Sequence, residues 1–200
     1  AQADADRQVN NVTRFSVFFP ERRQFFLENA DLFANFGYAN IRPFFSRRIG
    51  LGVPINYGAR LSGNIDKNWR IGLMDMQTGE TDDNGAPAQN FGVLTLQRRV
   101  FSRSNVTGFL INKQSFDHEQ YPNQPAFNRN AGLEYNLYSK DNRWEGEWYY
   151  HRSFSPDKAQ RGSTLASFLS YNDRYFNTQL GYNRIDSTYS AEAGFVPRTG

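Results

Sequence analysis

The sequence predicts an all-β fold, an antiparallel transmembrane β-barrel with a short non-barrel segment at its N-terminus. Three observations predict it. Short polar turns at 66–68, 102–104, 140–142 and 172–174 alternate with longer loops at 79–89, 115–127 and 155–162. The stretches between them alternate apolar and polar residues over about ten positions, the length and pattern of a tilted membrane-crossing strand. Trp69, Phe101, Tyr138, Trp144, Tyr171, Tyr175 and Phe176 all lie within a few residues of a short turn. That placement forms a ring at one level, as amphipathic aromatic side chains do at a membrane interface. A soluble sandwich would share the alternation but has no reason for the ring.

The elements follow in order. Residues 1–42 stand apart from the rest. Within them, PERRQFFLENADLFANF reads as a short amphipathic helix or packed loop opened by Pro20, because proline suits the first helical position. Phe25, Phe26, Leu32, Phe33 and Phe36 are too many large apolar groups to leave in water; they suit a plug in a barrel or packing beneath its mouth. The barrel reading spans 43–200, with about ten strands at 43–50, 55–65, 69–78, 90–101, 105–114, 128–139, 143–154, 163–172, 175–185 and 190–196. Alternation places Leu61, Leu133, Trp148 and Leu180 on the apolar face and Asn136 on the other. Met74 and Met76 fall out of step with Ile71 and Leu73, which predicts a bulge. Arg98 falls on the face of Leu94 and Leu96 and leaves that register open. The first connection, 51–54, is short for an outside loop. The short turns are centred roughly 32–38 residues apart, a repeat that holds two strands and one long loop.

Composition narrows the classes. No run of 18 apolar residues exists in the 200, so no transmembrane helix is predicted. Mean hydropathy is −0.72, which suits a barrel because only alternate residues meet lipid. There is no cysteine, hence no disulfide or thiol chemistry. The net charge of +3 is spread along the chain without a basic block, which argues against nucleic acid as a partner. No signal peptide is visible, so export would be encoded upstream and the chain reads as mature or partial.

Candidate sites are few. Glu145 and Glu147 share one strand face about 6.6–7 Å apart, within the separation of an inverting glycosidase pair. The plainer alternative is a polar lumen wall balanced by Arg143 and Arg152. Glu80, Asp82 and Asp83 cluster in one loop and suit Ca²⁺ by ligand type, but without the EF-hand spacing; an acidic loop tip is the alternative. His118 and His151 are the only histidines and have no zinc spacing. His151 shares the phase of Glu145 and Glu147 and is expected on the wet face near the rim. No GxSxG, P-loop or GxGxxG is present, so no cofactor is expected. Expected lumen-lining residues are Arg60, Asn64, Arg70, Glu134 and Arg143, with Glu145, Glu147, Gln179 and Asn183. Such a mixed-charge wall passes small polar solutes or holds a plug; a lumen filled by interlocking side chains is the alternative.

Four stretches add a resemblance. DADRQVNNVTRFSVFFPERRQFFLENADLF at 4–33, FFSRRIGL at 44–51, VPINYGARLSG at 53–63 and AEAGFVPRTG at 191–200 resemble a poorly characterised Gram-negative family of outer-membrane β-barrel proteins. Full-length members carry an upstream carbohydrate-binding family 9-like domain, and some are labelled membrane-associated hydrolases. The family has a longer insertion between the second and third blocks, almost absent here. The resemblance implies a bacterial outer-membrane location and a chain that continues on both sides. Lipid is then an expected partner. The expected role is passage or surface handling of a polar solute, with a glycan implied only by the upstream domain. A membrane-embedded hydrolase, or a structural subunit held by other envelope proteins, is the alternative. No catalytic residue carries over.

Overall fold

The computed structural model describes residues 21–37, 41–81, 86–116, 121, 124–157, 159 and 161–196. Eight strands follow one another: β1 Ile55–Asn64, β2 Trp69–Thr78, β3 Gln89–Val100, β4 Ser104–Ser115, β5 Phe127–Tyr138, β6 Trp144–Phe154, β7 Ser163–Asn172 and β8 Asn177–Ile185. They form one antiparallel sheet in sequence order, with β1 and β8 as its two open edges. Short connections join β1–β2, β3–β4, β5–β6 and β7–β8 at one end of the sheet, and the three longer ones lie at the other. No described helix is long and apolar enough to cross a membrane.

Local chemistry fixes the short turns. The Asp66 carboxylate accepts the backbone N–H of Asn68 at 2.7 Å and of Trp69 at 2.8 Å. In the next but one, Ser139 Oγ donates to Asp141 at 2.6 Å and accepts the Trp144 N–H at 2.9 Å, while Asn142 takes a left-handed φ of 59°. Aspartate, asparagine and serine do this because their short side chains bond their own backbone.

Two expected strands are absent. Residues 43–50 hold a single 3₁₀ turn, Ser46–Arg48, and 190–196 are irregular. The two segments meet each other instead. Arg42 bridges Phe195, and the Phe45 N–H donates to the Ala193 carbonyl at 2.8 Å. Pro43 and left-handed Gly50 and Gly52 interrupt the ladder that a strand needs there. Residues 51–54 are therefore a lead-in to β1, not an outside loop. The expected bulge is also absent from β2, whose pairing with β3 is continuous from Trp69–Arg98 to Thr78–Gln89. Met74 and Met76 point into the buried cluster and Ile71 and Leu73 to the other face, so β2 carries large apolar residues on both faces without a bulge. The one register shift on β1 and β2 lies between Ile55 and Tyr57. Arg98 completes the face of Leu94 and Leu96 at the turn end, its guanidinium 5.2 Å from the Trp69 ring.

One face of the sheet, called inward here, is covered by the chain itself. Residues 21–37 form two one-turn helices, α1 Gln24–Leu27 and α2 Asp31–Ala34. The helical start thus falls at Gln24, and Pro20 lies outside the described residues. Phe26, Leu32, Phe33 and Phe36, with Phe44 and Ile49, are buried against Met74, Met76, Phe91, Val93, Phe109 and Ile111. A Cβ on Gly72 would lie 2.9 Å from the Phe33 ring, so glycine makes the room that this contact needs. Burying each such side chain stabilises by about 1.5–3 kcal/mol, whereas a partly exposed ion pair contributes roughly 0–1. Apolar packing therefore holds the segment, and its ion pairs set its orientation. Glu28 meets Arg60 of β1 at 2.8 Å and Asp31 meets Arg70 of β2.

Candidate functional site

Inward positions follow from register. Arg70, Gln97, Thr107, Glu134 and Tyr149 stand on successive strands β2–β6 and share one face by pairing. Toward the short-turn end, a hydrogen-bonded polar row crosses the sheet. Arg70 donates to Gln97 Oε1 at 3.2 Å, Gln97 Nε2 donates to Thr107 Oγ1 at 3.2 Å, and Thr107 donates to Asn105 Oδ1 at 3.4 Å. Asn136 donates to the same Asn105 oxygen at 3.2 Å, and Glu147 stands opposite Asn136 in register. This row is the floor of a recess of about 420 Å³ whose roof is Asp31, Ala34, Asn35, Phe36 and Gly37. A smaller recess of about 160 Å³ adjoins it, with Lys67, Arg70, Arg99 and Arg103 along its walls. Amides, the Asp31 and Glu147 carboxylates, guanidinium groups and the Tyr138 phenol thus line these adjoining recesses. They can bind hydroxyl-bearing or charged small solutes.

Toward the long-loop end the inward face is closed. Glu134 and His151 are fully buried, with His151 Nε2 and Glu134 Oε1 2.7 Å apart. The same Glu134 oxygen accepts the Gly37 N–H at 2.7 Å, which ties the N-terminal segment to β5. Phe36 stacks on Phe109 at 4.4 Å, and His151 stacks on Tyr149 at 4.2 Å. A Cβ on Gly132 would lie 2.5 Å from both the His151 and Phe109 rings, so glycine makes space for that cluster. The chain after β8 completes the cover: Asn128 Nδ2 donates to the Ser190 carbonyl at 3.3 Å, and Lys113 meets Glu192 at 2.8 Å. Burial pushes the Tyr189 phenol above its ordinary value, helped by nearby Tyr149 and Glu134.

Among the expected lumen residues, Arg60, Arg70, Glu134 and Glu147 lie between sheet and inner segments. Asn64 lines the smaller recess. Glu145 has the inward register but is exposed and lies outside both recesses, so the two carboxylates do not share an enclosed site. Gln179 and Asn183 face inward on β8, and both are exposed. Arg143 is corrected: it lies in the β5–β6 turn, with Nε 3.7 Å from Asp141 and 3.8 Å from Asp173. Tyr138 is corrected too, since its register turns it toward the larger recess and not into the outer ring. His151 has the expected phase, but it is buried in the interior and not wet at a rim. Asp82, Asp83 and His118 lie outside the described residues, and Glu80 is exposed. Among the described residues no cluster of three potential metal ligands occurs.

Sequence reasoning missed the Glu134–His151 contact, the polar row through Asn105, and the covering role of 186–196. One signal was present: Asn128, Asn130, Glu134 and Asn136 share one phase of β5.

Residues 1–71 match a family model described as "Domain of unknown function (DUF5916)". The chain is similar to that uncharacterised family over this stretch, which includes α1, α2, β1 and the first residues of β2. No curated protein and no solved structure matches the chain.

Proposed function

We propose that the eight strands are part of the wall of an outer-membrane β-barrel and that the chain serves passage or surface handling of a polar solute. The inner segments occupy the lumen side, and the larger recess is the solute's place. One observation carries this reading. The uncovered face of the sheet is a contiguous apolar band that includes Leu61, Leu73, Leu94, Leu96, Val106, Leu110, Leu133, Tyr150, Leu180 and Tyr182, all exposed. Large contiguous patches of this kind are rare on soluble monomers and mark contact with another apolar phase.

The slope of the sheet supports it. One row of paired residues runs Leu61, Leu73, Leu94, Leu110, Ala131, Arg152, Ser163 across β1–β7. It lies four residues from the short-turn end of β2 and nine from that of β7, a drift of one residue per strand. At about 3.3 Å along a strand and 4.8 Å between strands, that is a tilt of about 35°, the lower edge of the range for barrel walls. The same drift accounts for Arg152 and Ser163 at the end of an apolar row: the row climbs out of the band toward the long loops. The recess supports the solute, because its amides and charged groups match polar rather than apolar ligands.

Cysteine labelling in whole cells tests the wall. Asp157→Cys, in a long loop, should react with a membrane-impermeant maleimide, and Asp141→Cys, in a short turn, only after the outer membrane is opened. Equal labelling of both sinks the topology. Planar-bilayer conductance tests passage. Phe36→Ala, which widens the recess roof, should raise the current. No current from either protein removes passage and leaves surface handling.

A further inference from the structure

We infer that the outward face of β3–β6 holds a phosphorylated lipid, with its acyl chains in an apolar groove and its phosphate between Arg129 and Arg152. The inference rests on the barrel-wall reading above. Two outward grooves, of about 790 and 430 Å³, run together, and both are lined by Leu94, Leu110 and Ala131. Their depth comes from small residues between leucines. A Cβ on Gly92 would meet nothing closer than Asn112 Cβ at 4.0 Å, so the space is open there. Alkyl chains fill such a furrow by dispersion contact.

Arg129 lines the larger groove, beside Asn112, which accepts its Nε–H at 3.0 Å, and with Asp75 and inward-turned Arg60 farther along; Arg152 lines the smaller. Arg129 stands opposite Phe154 and Arg152 opposite Ala131, so the two arginines are diagonal neighbours on β5 and β6. Diagonal neighbours lie roughly 7–8 Å apart, a separation at which two guanidinium forks close on one tetrahedral anion. Both side chains are exposed. Among the described residues no carboxylate lies within ion-pair distance of either, whereas outward Arg184 has Asp186 at 3.4 Å. The Arg129 guanidinium rests 4.4 Å from the Phe127 ring and that of Arg152 5.5 Å from Phe154, which holds both at the long-loop end of their strands. A charged side chain on a lipid face is tolerated best near the headgroup level. Two cations without an ion-pair partner at the end of a largely apolar furrow match an amphiphile with a phosphate at its head.

The test inserts the whole chain into phosphatidylcholine vesicles that contain diphosphoryl lipid A, or the same lipid A stripped of its phosphates. The protein is then extracted gently in detergent, and retained lipid is counted by native mass spectrometry. The phosphorylated form should be retained in preference. Arg129→Gln or Arg152→Gln alone should lower its retention about tenfold, the effect of one lost charge-assisted contact, and the two together should lower it further. Ala131→Phe, which fills the shared furrow, should lower retention of both forms. Equal retention of the two forms, or indifference to the arginine variants, overturns the inference. So does displacement by inorganic phosphate together with indifference to Ala131→Phe, which would mark a bare anion site. A protein that inserts without headgroup preference refutes this site alone; one that never inserts refutes the barrel wall and this site with it.

Discussion

Leu61, Leu133 and Leu180 are 62%, 65% and 70% exposed on the outward face, while Glu134 and His151 on the inward face are 3% and 0% exposed. In a water-soluble domain the ranking runs the other way. The inward face is itself divided. Under α1 and α2 it is apolar, through Met74, Met76, Phe91 and Val93; beyond them it is a polar network from Arg70 to Asn136. The difference teaches that polarity on this sheet follows what each patch touches. Phenyl rings of the N-terminal segment call for an apolar floor, the recess calls for amides and charges, and the outward side carries leucine and tyrosine along its length.

The largest effect should separate the covered face from the bare one. Phe33→Ala empties a packed site against Gly72 and should cost about 3–5 kcal/mol in a denaturant titration. Leu180→Ala, on the bare face, should change stability in detergent by less than about 0.5 kcal/mol. Similar losses at both sites would mean that the inward cluster is not the core. The next effect appears only in a bilayer. Leu133→Arg should cost about 2–4 kcal/mol on folding into lipid vesicles, and Asn136→Arg, at the recess, much less. Equal costs would undo the assignment of faces.

A third effect distinguishes the two parts of the inward face. Glu134→Ala leaves buried His151 Nε2 and the Gly37 N–H without their shared acceptor. It should cost about 1–3 kcal/mol, and hydrogen exchange at the Gly37 amide should speed up. Glu134→Gln keeps an acceptor oxygen and should lose less. Unchanged exchange in the alanine variant would mean that Glu134 does not tie the segment to β5.

The smallest effect is set by pH. Burial opposes the charge on Glu21, yet hydrogen bonds from Arg23 and Ser46 outweigh it and hold the carboxyl below its ordinary value. A lowered folded-state value means that the stabilisation is complete above the ordinary glutamate range and is lost as pH falls through the lowered one. Proteolytic resistance of the 21–49 segment should fall on acidification over that window. Glu21→Gln should remove the step, and a step that survives would place its origin elsewhere.

The sequence by itself determined the eight strands from Ile55 to Ile185, usually within one or two residues, and the alternation of short turns with longer loops. These are local properties: period-two polarity decides which residues share a face, and aspartate, asparagine and serine close the turns. It also marked Phe26, Leu32, Phe33 and Phe36 as groups that must be buried, since apolar area has to leave water wherever the chain goes. Only the tertiary structure decided what covers each face. Periodicity cannot tell that Met74 and Met76 join the buried cluster with the N-terminal segment, so an ordinary two-faced strand reads as a bulge. It cannot tell that residues 43–50 and 190–196 pair with each other across the inward face, because Phe45 and Ala193 are brought together by the whole sheet between them. Nor does it place His151 against Glu134, a contact made when the β5–β6 register sets Gly132 opposite His151 and leaves space for the ring. Spacing along a chain fixes direction on a strand, whereas burial and contact depend on which distant segment occupies the space that the strand faces.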